Sequence, residues 1–417
     1  MKKFVIKGGK ALKGEVKVGG SKNAALPIIC ASLLTKDKVT LENVPDISDV
    51  RSMISIIEKI GAKVKFKNHV LEINSNGLQK KNIPNDLVKK MRASILILGA
   101  LLPRVGEVKM DFPGGCVLGK RSVFAHTHAF TELGCKVIDD KRGLHIKVKK
   151  IVGKKITLPE LSVTATENAL MMAAMAEGET EIRLAAAEPH VQELCLFLNK
   201  MGAKINGIGT NSLKIKGVKN LHGITHKITG DYLEAGTFAI AAVATKGKVK
   251  INGINPDHLD SFWQKLMEMG AKVELGKDCA TVSANGGLSA VKELKTAVYP
   301  GFATDLQAPF VVLLTQAAGV GKIFETLFEG RLNYLVELEK MGARVELLNP
   351  HQALVIGPTA LKAIPIVSSD IRAGAAMVIA ALIAKGETEI SNIDYIDRGY
   401  EKIDQKLKSL GAEIKRI

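Results

Sequence analysis

One loop of the sequence combines a thiol with glycines and cations, a set of residues that can do chemistry. It reads Pro113-Gly114-Gly115-Cys116-Val117-Leu118-Gly119-Lys120-Arg121. Glycines permit unusual backbone angles, and neighbouring cations favour the thiolate form of a cysteine. A small buried residue in a turn is the alternative interpretation. Cys116 is therefore the first candidate for a reactive group.

The other cysteines and the histidines give weaker signals. Cys30 and Cys195 lie in apolar helical patterns, and no pair of cysteines has the spacing of a metal site. His126 and His128 flank Thr127 without an evident third ligand, so we interpret them as surface histidines on an outer helix. The sequence therefore predicts no metal site.

The charge balance indicates anionic partners. The chain has 59 Lys and Arg against 42 Asp and Glu, a formal charge of +17, and its most basic run spans 147–155. Such a charge suits nucleic acid, a membrane surface or phosphorylated small molecules. Aromatic residues are only 4% of the chain, which argues against base-stacking platforms. We interpret the basic run as a solvated pair of strands.

No apolar run reaches the ~18 residues that a membrane span needs. The first ten residues are basic but lack the apolar segment of a signal peptide. The chain has five cysteines, an odd number. We therefore predict a reduced, cytoplasmic protein that binds neither membrane nor nucleic acid.

A Gly-small-x-Val/Ile motif repeats along the chain with gaps of about 70 residues. It begins at Gly61, Gly134, Gly202, Gly270, Gly342 and Gly411. Most of these glycines follow an amphipathic stretch, at the position where a helix ends, and precede an alternating stretch typical of a strand. Six repeats of one α/β unit follow from this spacing.

Each repeat also contains an apolar segment without a polar face, which predicts a buried helix. These segments span 22–34, 92–102, 164–176, 231–245, 305–318 and 370–384. The sixth repeat stops at Ile417 without its last strand pair, and we expect residues 1–21 to complete it. We therefore predict one domain over 22–229, a second over 1–21 plus 230–417, and an active site in the cleft between them.

Charged or polar residues mark the starts of the buried helices. They are Lys22 with Asn23, Arg92, Ser162 with Thr164, Asp231, Asp305, and Asp370 with Arg372. Acids and serines there have a simple explanation as N-caps. Cations at a helix N-terminus oppose the helix dipole, so stability does not explain Lys22, Arg92 or Arg372. They indicate a site for multiply charged anions, to which Arg331 and Arg398 are further candidates.

Together these segments resemble the UDP-N-acetylglucosamine 1-carboxyvinyltransferase family, over essentially the whole chain. The matching motifs are Gly19-Gly20-Ser21-Lys22-Asn23-Ala24, Met91-Arg92-Ala93-Ser94, Gly114-Gly115-Cys116, Ala165-Thr166-Glu167-Asn168, Gly301-Phe302-Ala303-Thr304-Asp305, Ser369-Asp370-Ile371-Arg372-Ala373 and Asp397-Arg398-Gly399-Tyr400. The resemblance implies an inside-out α/β barrel of two domains with three βαβαββ units each, the enolpyruvyl transferase fold.

The resemblance also implies a reaction. Phosphoenolpyruvate and UDP-N-acetylglucosamine give the 3-O-enolpyruvyl sugar nucleotide and phosphate, by addition and elimination and without a cofactor. This is the first committed step of peptidoglycan synthesis, and fosfomycin is the expected covalent inhibitor at Cys116.

Roles follow from the resemblance position by position. Cys116 is expected to protonate the methylene carbon, and Asp305 to act as the base or orienting group for the sugar hydroxyl; Lys22 and Arg398 complete the catalytic set. Residues expected at phosphoenolpyruvate are Lys22, Asn23, Arg121, Arg331, Asp370, Arg372 and Arg398. Residues expected at the sugar nucleotide are Asn23, Arg92, Arg121, Val123, Ser162, Val163, Asp305 and Leu327.

Three places depart from the family pattern. Ser122-Val123-Phe124-Ala125 replaces a Pro-aliphatic-Asp-Leu stretch that lines the uracil pocket. Glu160 stands where Lys is common, and Thr164 where Gly is common. We expect these changes to alter contacts with the nucleotide.

Two alternatives stay open at this point. A 5-enolpyruvylshikimate-3-phosphate synthase shares the fold, but its glycine-lysine-serine and Asn-Ala-Gly-Thr motifs and its lack of the loop cysteine do not fit this sequence. A basic protein that binds polyanions is the non-enzyme alternative, since the charge is +17. It predicts binding that weakens steeply with salt.

Overall fold

The computed structural model describes residues 2–79, 83–114, 122–140, 143–284 and 286–417. Two compact units contain these residues. The N-terminal unit runs from Gly20 to Thr229, and the C-terminal unit comprises the residues up to Gly19 and those from Gly230 to Ile417. No described helix is long and apolar enough to span a bilayer. The predicted position of the active site, in a cleft between two domains, stays a prediction.

Short strands and helices alternate along the whole chain. The strands are β1 (Phe4–Lys7), β2 (Lys13–Lys17), β3 (Lys38–Glu42), β4 (Lys63–Lys67), β5 (Val70–Asn74), β6 (Glu107–Asp111), β7 (Lys136–Asp140), β8 (Gly143–Lys147), β9 (Lys155–Thr157), β10 (Glu179–Arg183), β11 (Lys204–Asn206), β12 (Ser212–Lys216), β13 (Thr225–Lys227), β14 (Lys248–Asn252), β15 (Lys272–Leu275), β16 (Cys279–Ser283), β17 (Glu293–Lys295), β18 (Gly319–Phe324), β19 (Arg344–Asn349), β20 (Gln352–Gly357), β21 (Ile366–Val367), β22 (Glu387–Ser391) and β23 (Glu413–Arg416).

The helices are α1 (Lys22–Ala31), α2 (Ser48–Lys59), α3 (Asn85–Val88), α4 (Ile97–Val105), α5 (Phe124–Glu132), α6 (Val163–Ala173), α7 (Pro189–Lys200), α8 (Tyr232–Ala244), α9 (Asp260–Glu268), α10 (Gln307–Leu314), α11 (Leu335–Lys340), α12 (Ile371–Ile383), α13 (Asp394–Asp397) and α14 (Ile403–Ser409). Segments of 3-10 helix occur at Ser32–Leu34, Arg92–Leu96, Pro256–Leu259, Thr304–Leu306 and Glu329–Tyr334.

The predicted repeat of strand, buried helix, strand, outer helix and strand pair is confirmed. The third repeat reads β9-α6-β10-α7-β11-β12, and the fifth reads β17-α10-β18-α11-β19-β20. The buried helices are α1, α4 and α6 in the N-terminal unit and α8, α10 and α12 in the C-terminal unit. All residues of α8 are buried, as its apolar composition predicts. The motif glycines adopt φ angles between 91° and 110°, which is why a glycine ends each outer helix.

Among the described residues, six small sheets surround these helices. In the N-terminal unit their strand orders are β13-β3-β5-β4, β6-β8-β7 and β11-β12-β10-β9; in the C-terminal unit they are β15-β16-β14-β2, β17-β18-β20-β19 and β21-β22-β1-β23. Each unit has its own hydrophobic core, formed by the inward faces of the strands and by the buried helices.

The first strands of the chain divide between two sheets. β1 lies between β22 and β23, antiparallel to both, and so completes the sixth repeat. β2 instead pairs in parallel with β14 of the fourth repeat. The expectation that all of residues 1–21 complete the sixth repeat is therefore wrong for β2. The cause is that the first strand of each repeat hydrogen-bonds to the strand that follows the buried helix, as β9 does with β10.

Candidate functional site

The starts of the buried helices carry the predicted residues. Lys22 is the first residue of α1, and Arg92 opens the 3-10 segment that precedes α4. Ser162, Asp231 and Asp370 are the N-caps of α6, α8 and α12. Asp305 lies in the 3-10 segment that precedes α10. The simple N-cap explanation therefore holds for the serine and for two of the acids, and the cations need another.

In the C-terminal unit, two buried arginines share the carboxylate of Asp305. Arg331 donates from Nη2 to Asp305 Oδ1 at 2.7 Å. Arg372 donates from Nε to Asp305 Oδ2 at 3.0 Å, and its Nη2 forms an ion pair with the same oxygen at 2.9 Å. Both arginine side chains are 4% exposed and that of Asp305 is 26% exposed. The three residues, called the arginine–aspartate cluster below, have one positive charge in excess.

Burial and charge act in opposite directions on Arg372. Burial disfavours its cationic form, but the carboxylate of Asp305 and other neighbours favour it, and the pKa of Arg372 lies above its ordinary value. The guanidinium therefore stays charged, in a position where water screens it little. A buried cation of this kind suits an anionic ligand.

Glu325, which no sequence motif indicated, joins two segments of the chain by hydrogen bonds to its carboxylate. Glu325 is fully buried on the chain after β18. Thr304 donates from its hydroxyl to Glu325 Oε2 at 2.7 Å, and the backbone N–H of Leu327 donates to Oε1 at 2.9 Å. Glu325 thus ties the residue before Asp305 to the segment that carries Leu327. Thr304 lies 21 residues before Glu325 in the sequence, so no local motif predicts this hydrogen bond.

Two further predicted residues of this unit are Asp370, at the start of α12, and Arg398, at the end of α13. Asp370 Oδ1 accepts hydrogen bonds from the backbone N–H groups of Arg372 and Ala373, at 2.8 and 3.0 Å. Arg398 ends α13, which packs against α12. A Cβ atom on Gly399 would lie 2.5 Å from Ile371 Cγ2, so only glycine permits this approach.

In the N-terminal unit, the helix starts are held by different partners. Lys22 Nζ lies 3.5 Å from Asp49 Oδ2, and both side chains are largely buried. Arg92 donates from Nη2 to the carbonyl of Ser122 at 2.6 Å. The 3-10 segment that begins at Arg92 contacts both α1 and α6. Asn23 lies in the first turn of α1, Val163 is the first residue of α6, and Ser162 is the N-cap of α6. Val123 directly precedes α5 and is half-buried.

His126 is not a surface residue, contrary to the interpretation of the sequence. It is 1% exposed, because α5 turns it toward α6, whereas His128 lies on a more open face of the same helix. Asn168 Nδ2 lies 2.9 Å from His126 Nδ1, and Thr164 Oγ1 lies 3.1 Å from His126 Nε2. Burial, with a contribution from Arg92, lowers the pKa of His126 to about 3. The imidazole is therefore neutral at physiological pH.

The hydrogen bonds of Asn168 define which nitrogen of His126 carries the proton. Asn168 Oδ1 accepts from the backbone N–H of Gly99 at 2.9 Å, so its amide nitrogen faces His126. That nitrogen is a donor, hence His126 Nδ1 accepts and Nε2 carries the proton, which it donates to Thr164. The neutral ring thus joins the start of α5 to the start of α6.

A second buried polar group of this unit is Glu167. It lies on α6 with one carboxylate oxygen, Oε1, buried and without a hydrogen-bond partner among the described residues. Burial, reinforced by Glu188, raises the pKa of Glu167 well above its ordinary value. The folded protein therefore favours the protonated form of Glu167.

Two predicted residues, Cys116 and Arg121, lie outside the described residues. Of the other cysteines, Cys30 and Cys195 are buried thiols, as their apolar surroundings predict. Burial raises the pKa of Cys195 to about 12, so this thiol is unreactive.

Comparison with known proteins identifies the family. A sequence model of the EPSP synthase (3-phosphoshikimate 1-carboxyvinyltransferase) family matches residues 6–407. The chain is 43% identical over 427 residues to a UDP-N-acetylglucosamine 1-carboxyvinyltransferase of Methylacidiphilum infernorum, covering 100% of this chain and 99% of that protein. It is also 43% identical over 417 residues to the enzyme of that name from Halothermothrix orenii, covering all of both chains.

Solved structures agree on the fold. The enolpyruvyl transferase NikO from Streptomyces tendae superposes with a TM-score of 0.90 at 24% identity, over 100% of this chain and 99% of its own. An EPSP synthase from Acinetobacter baumannii gives 0.77 at 17% identity over 100% of both chains. The predicted fold class is confirmed, and the identity over full length is decisive for the family. The chain belongs to the UDP-N-acetylglucosamine 1-carboxyvinyltransferase family of enolpyruvyl transferases.

Proposed function

We propose that this protein transfers the enolpyruvyl group of phosphoenolpyruvate to the 3-hydroxyl of UDP-N-acetylglucosamine and releases phosphate. The observation that carries the proposal is 43% identity, over the full length of both chains, to relatives named for this reaction. The step would open peptidoglycan synthesis and so support cell shape and division.

The chemistry would proceed in two stages. In the addition, the sugar oxygen bonds to C2 of phosphoenolpyruvate while the methylene carbon gains a proton, and a tetrahedral adduct forms. In the elimination, the bond from C2 to the phosphate oxygen breaks, phosphate leaves, and the new methyl group loses a proton. The charge that develops at C2 is positive, whereas phosphate and carboxylate stay anionic, so fixed cations favour the adduct.

The arginine–aspartate cluster supports an anion-binding role in this unit. Arg331 and Arg372 together exceed the charge of Asp305 by one, and their burial limits screening by water. We infer that Arg331, Arg372 and Arg398, with Lys22, Asn23 and Arg121, hold phosphoenolpyruvate and its adduct. Asp370 would act from its capping position at α12.

Asp305 would orient the sugar 3-hydroxyl and accept its proton. Its two oxygens accept hydrogen bonds from Arg331 and Arg372, which fix the plane of the carboxylate. The arginines favour the ionised carboxylate, which makes it a good hydrogen-bond acceptor and a weak base. The geometry therefore supports orientation as the larger part of its contribution.

We infer that the helix starts of the N-terminal unit bind the sugar nucleotide. Ser162 and Val163 lie at the N-terminus of α6, where backbone N–H groups and the helix dipole suit phosphate. Arg92, Val123, Asn23 and, from the other unit, Leu327 complete the proposed set. Glu160 is exposed and brings no positive charge, so phosphate binding here depends on the helix terminus.

Cys116 would supply the proton for the methylene carbon, a role that typically contributes roughly 10²–10⁴-fold. Its loop also makes it the site at which we expect fosfomycin to form a covalent adduct. Cys116→Ala should abolish turnover, and Cys116→Asp should retain part of it and resist fosfomycin, because a carboxylic acid can donate a proton but does not open an epoxide as a thiolate does. Mass spectrometry of the treated protein locates the adduct; a modified Cys30, Cys135, Cys195 or Cys279 instead would contradict this role.

The alternative acceptor is shikimate-3-phosphate, since the family model that matches is named for EPSP synthase. The much higher identity to the UDP-N-acetylglucosamine enzymes favours the nucleotide sugar. The non-enzyme alternative, polyanion binding, has the net charge of +17 in its favour but does not explain why cations lie at the starts of buried helices.

The expected cytoplasmic location also belongs to this proposal. The described cysteines, Cys30, Cys135, Cys195 and Cys279, are free thiols, which is typical of a reducing compartment.

The experiment is to incubate the protein with phosphoenolpyruvate and UDP-N-acetylglucosamine and to identify the product. We expect equal amounts of phosphate and of a nucleotide sugar that carries an enolpyruvyl ether at the 3-oxygen, established by NMR. A linkage at another oxygen, or phosphate without the ether, would overturn the proposed reaction.

A further inference from the structure

Tyr400 contacts Arg372 of the arginine–aspartate cluster. It follows α13 and is 1% exposed. Its side chain contacts Thr237 of α8 and Arg372 of α12. The ring therefore belongs to the core of the C-terminal unit and at the same time touches a proposed ligand-binding residue.

The direction of the hydrogen bond between Tyr400 and Thr237 follows from a third partner. Thr237 Oγ1 lies 2.8 Å from the carbonyl oxygen of Leu233, which can only accept. The single hydroxyl proton of Thr237 is used there. In the 2.9 Å contact between Thr237 Oγ1 and the Tyr400 hydroxyl, Tyr400 must then be the donor. Burial raises the pKa of Tyr400, so its phenol keeps this proton.

Arg372 packs on the ring that this hydrogen bond holds. Its Cζ atom lies 5.4 Å from the centroid of the Tyr400 ring, within the range of a cation–π contact. Nε of the same guanidinium donates to Asp305 Oδ2, and Nη2 lies 2.9 Å from that oxygen. A guanidinium with its Cζ over a fixed ring and two of its nitrogens on a carboxylate has little freedom to rotate.

We propose that Tyr400, held by Thr237, is a positioning residue that sets the plane of Arg372 and through it the orientation of Asp305. The proposal rests on the proposed function for its kinetic readout. The alternative is that Tyr400 only fills the core, in which case its loss would change stability and leave the rates per folded molecule unaltered.

The test uses Tyr400→Phe, which keeps the ring, Thr237→Val, which removes the acceptor, and the double variant. Each single change should lower kcat about tenfold, and the double variant should be no slower than either, because both remove one hydrogen bond. Tyr400→Leu, which also removes the ring, should lower kcat about 100-fold. Thr315→Val is the matched control: Thr315 is a buried threonine that bonds to Val312 O at the opposite end of the buried helix α10. It should change kcat less than twofold.

A second readout does not depend on turnover. The Nε–Hε resonance of Arg372 should carry the ring-current shift of Tyr400, keep most of it in Tyr400→Phe and lose it in Tyr400→Leu. Unchanged kcat in Tyr400→Leu, fully additive effects in the double variant, or an Arg372 resonance that Tyr400→Leu leaves in place would each overturn the proposal. Absence of turnover in the unaltered protein would instead contradict the proposed function, and the resonance would still decide the role of Tyr400.

Discussion

The two units share one repeat and use it differently. In the C-terminal unit, residues from two repeats meet in the arginine–aspartate cluster, where Asp305 offsets part of the charge of Arg331 and Arg372. In the N-terminal unit, Arg92 binds a backbone carbonyl, Lys22 pairs with the carboxylate of Asp49, and the imidazole of His126 is neutral. One unit therefore brings two arginines to a single carboxylate, whereas in the other each cation at a helix start has its own partner.

The two units also differ in net formal charge. Residues 20–229 contain 32 of the 59 basic and 19 of the 42 acidic residues, a charge of +13 (32 − 19), and the rest of the chain carries +4 (27 − 23). The unit with the smaller net charge contains the arginine–aspartate cluster, and the more basic unit contains the largely buried Lys22–Asp49 pair. Buried charges need local partners, whereas an excess of charge can remain on a solvated surface.

The largest expected effect comes from removing the shared carboxylate. Asp305→Asn leaves two buried arginines short of a counter-ion and should lower the free energy of unfolding by about 3–5 kcal/mol. Asp49→Asn, which removes the 3.5 Å partner of the single, largely buried Lys22 in the other unit, should cost about 2 kcal/mol. Trp263, the only tryptophan, is buried in the C-terminal unit, so its fluorescence in urea reports the loss in the Asp305 variant, and circular dichroism in urea reports the loss in the Asp49 variant. Equal losses for the two variants would erase the contrast.

The next effect is a pH dependence from His126. Its pKa is about 3 in the folded state, below the ordinary 6.5, so the unfolded chain binds the extra proton first as the pH falls. The folded state should lose about 2 kcal/mol from this residue between pH 7.5 and pH 5. His126→Gln should remove that part of the pH dependence, measured by circular dichroism in urea. The exposed His222→Gln should keep it; identical pH profiles for His126→Gln and the unaltered protein would contradict the assignment.

A third effect, from Glu167, has the opposite sign. The pKa of Glu167 is raised in the folded state, so the unfolded chain releases its proton first as the pH rises above the ordinary value of 4.5. Folded stability should therefore fall with rising pH because of Glu167. Glu167→Gln keeps the shape and cannot release a proton, so the gain in the free energy of unfolding that it brings should be larger at pH 8 than at pH 5. Exposed Glu58→Gln should have no such effect.

The sequence predicted the repeat and the helix starts because both depend on local chemistry. A glycine with positive φ is needed where each outer helix ends, so the period of about 70 residues is visible in single residues. The continuous apolar composition of α8 or α12 predicts burial in the same direct way. The division of β1 and β2 between two sheets was missed because it depends on pairing with strands more than 200 residues away.

Partners inside the units could not be predicted from the sequence. Thr237 and Tyr400 are 163 residues apart, and nothing in either segment signals their hydrogen bond. His126 follows the pattern of an outer helix, and only the position of Asn168 and Thr164 on α6 shows that it is buried. The family resemblance suggests which residues react. The residues that pack against them are visible only in the structure.

The proposed function depends on which acceptor receives the enolpyruvyl group, and a phosphate-release assay measures this. Phosphate release from phosphoenolpyruvate is measured with UDP-N-acetylglucosamine and with shikimate-3-phosphate side by side, under the same conditions. We expect rapid phosphate release with UDP-N-acetylglucosamine and none above background with shikimate-3-phosphate. Phosphate release with shikimate-3-phosphate alone, or with neither acceptor, would contradict the proposed function.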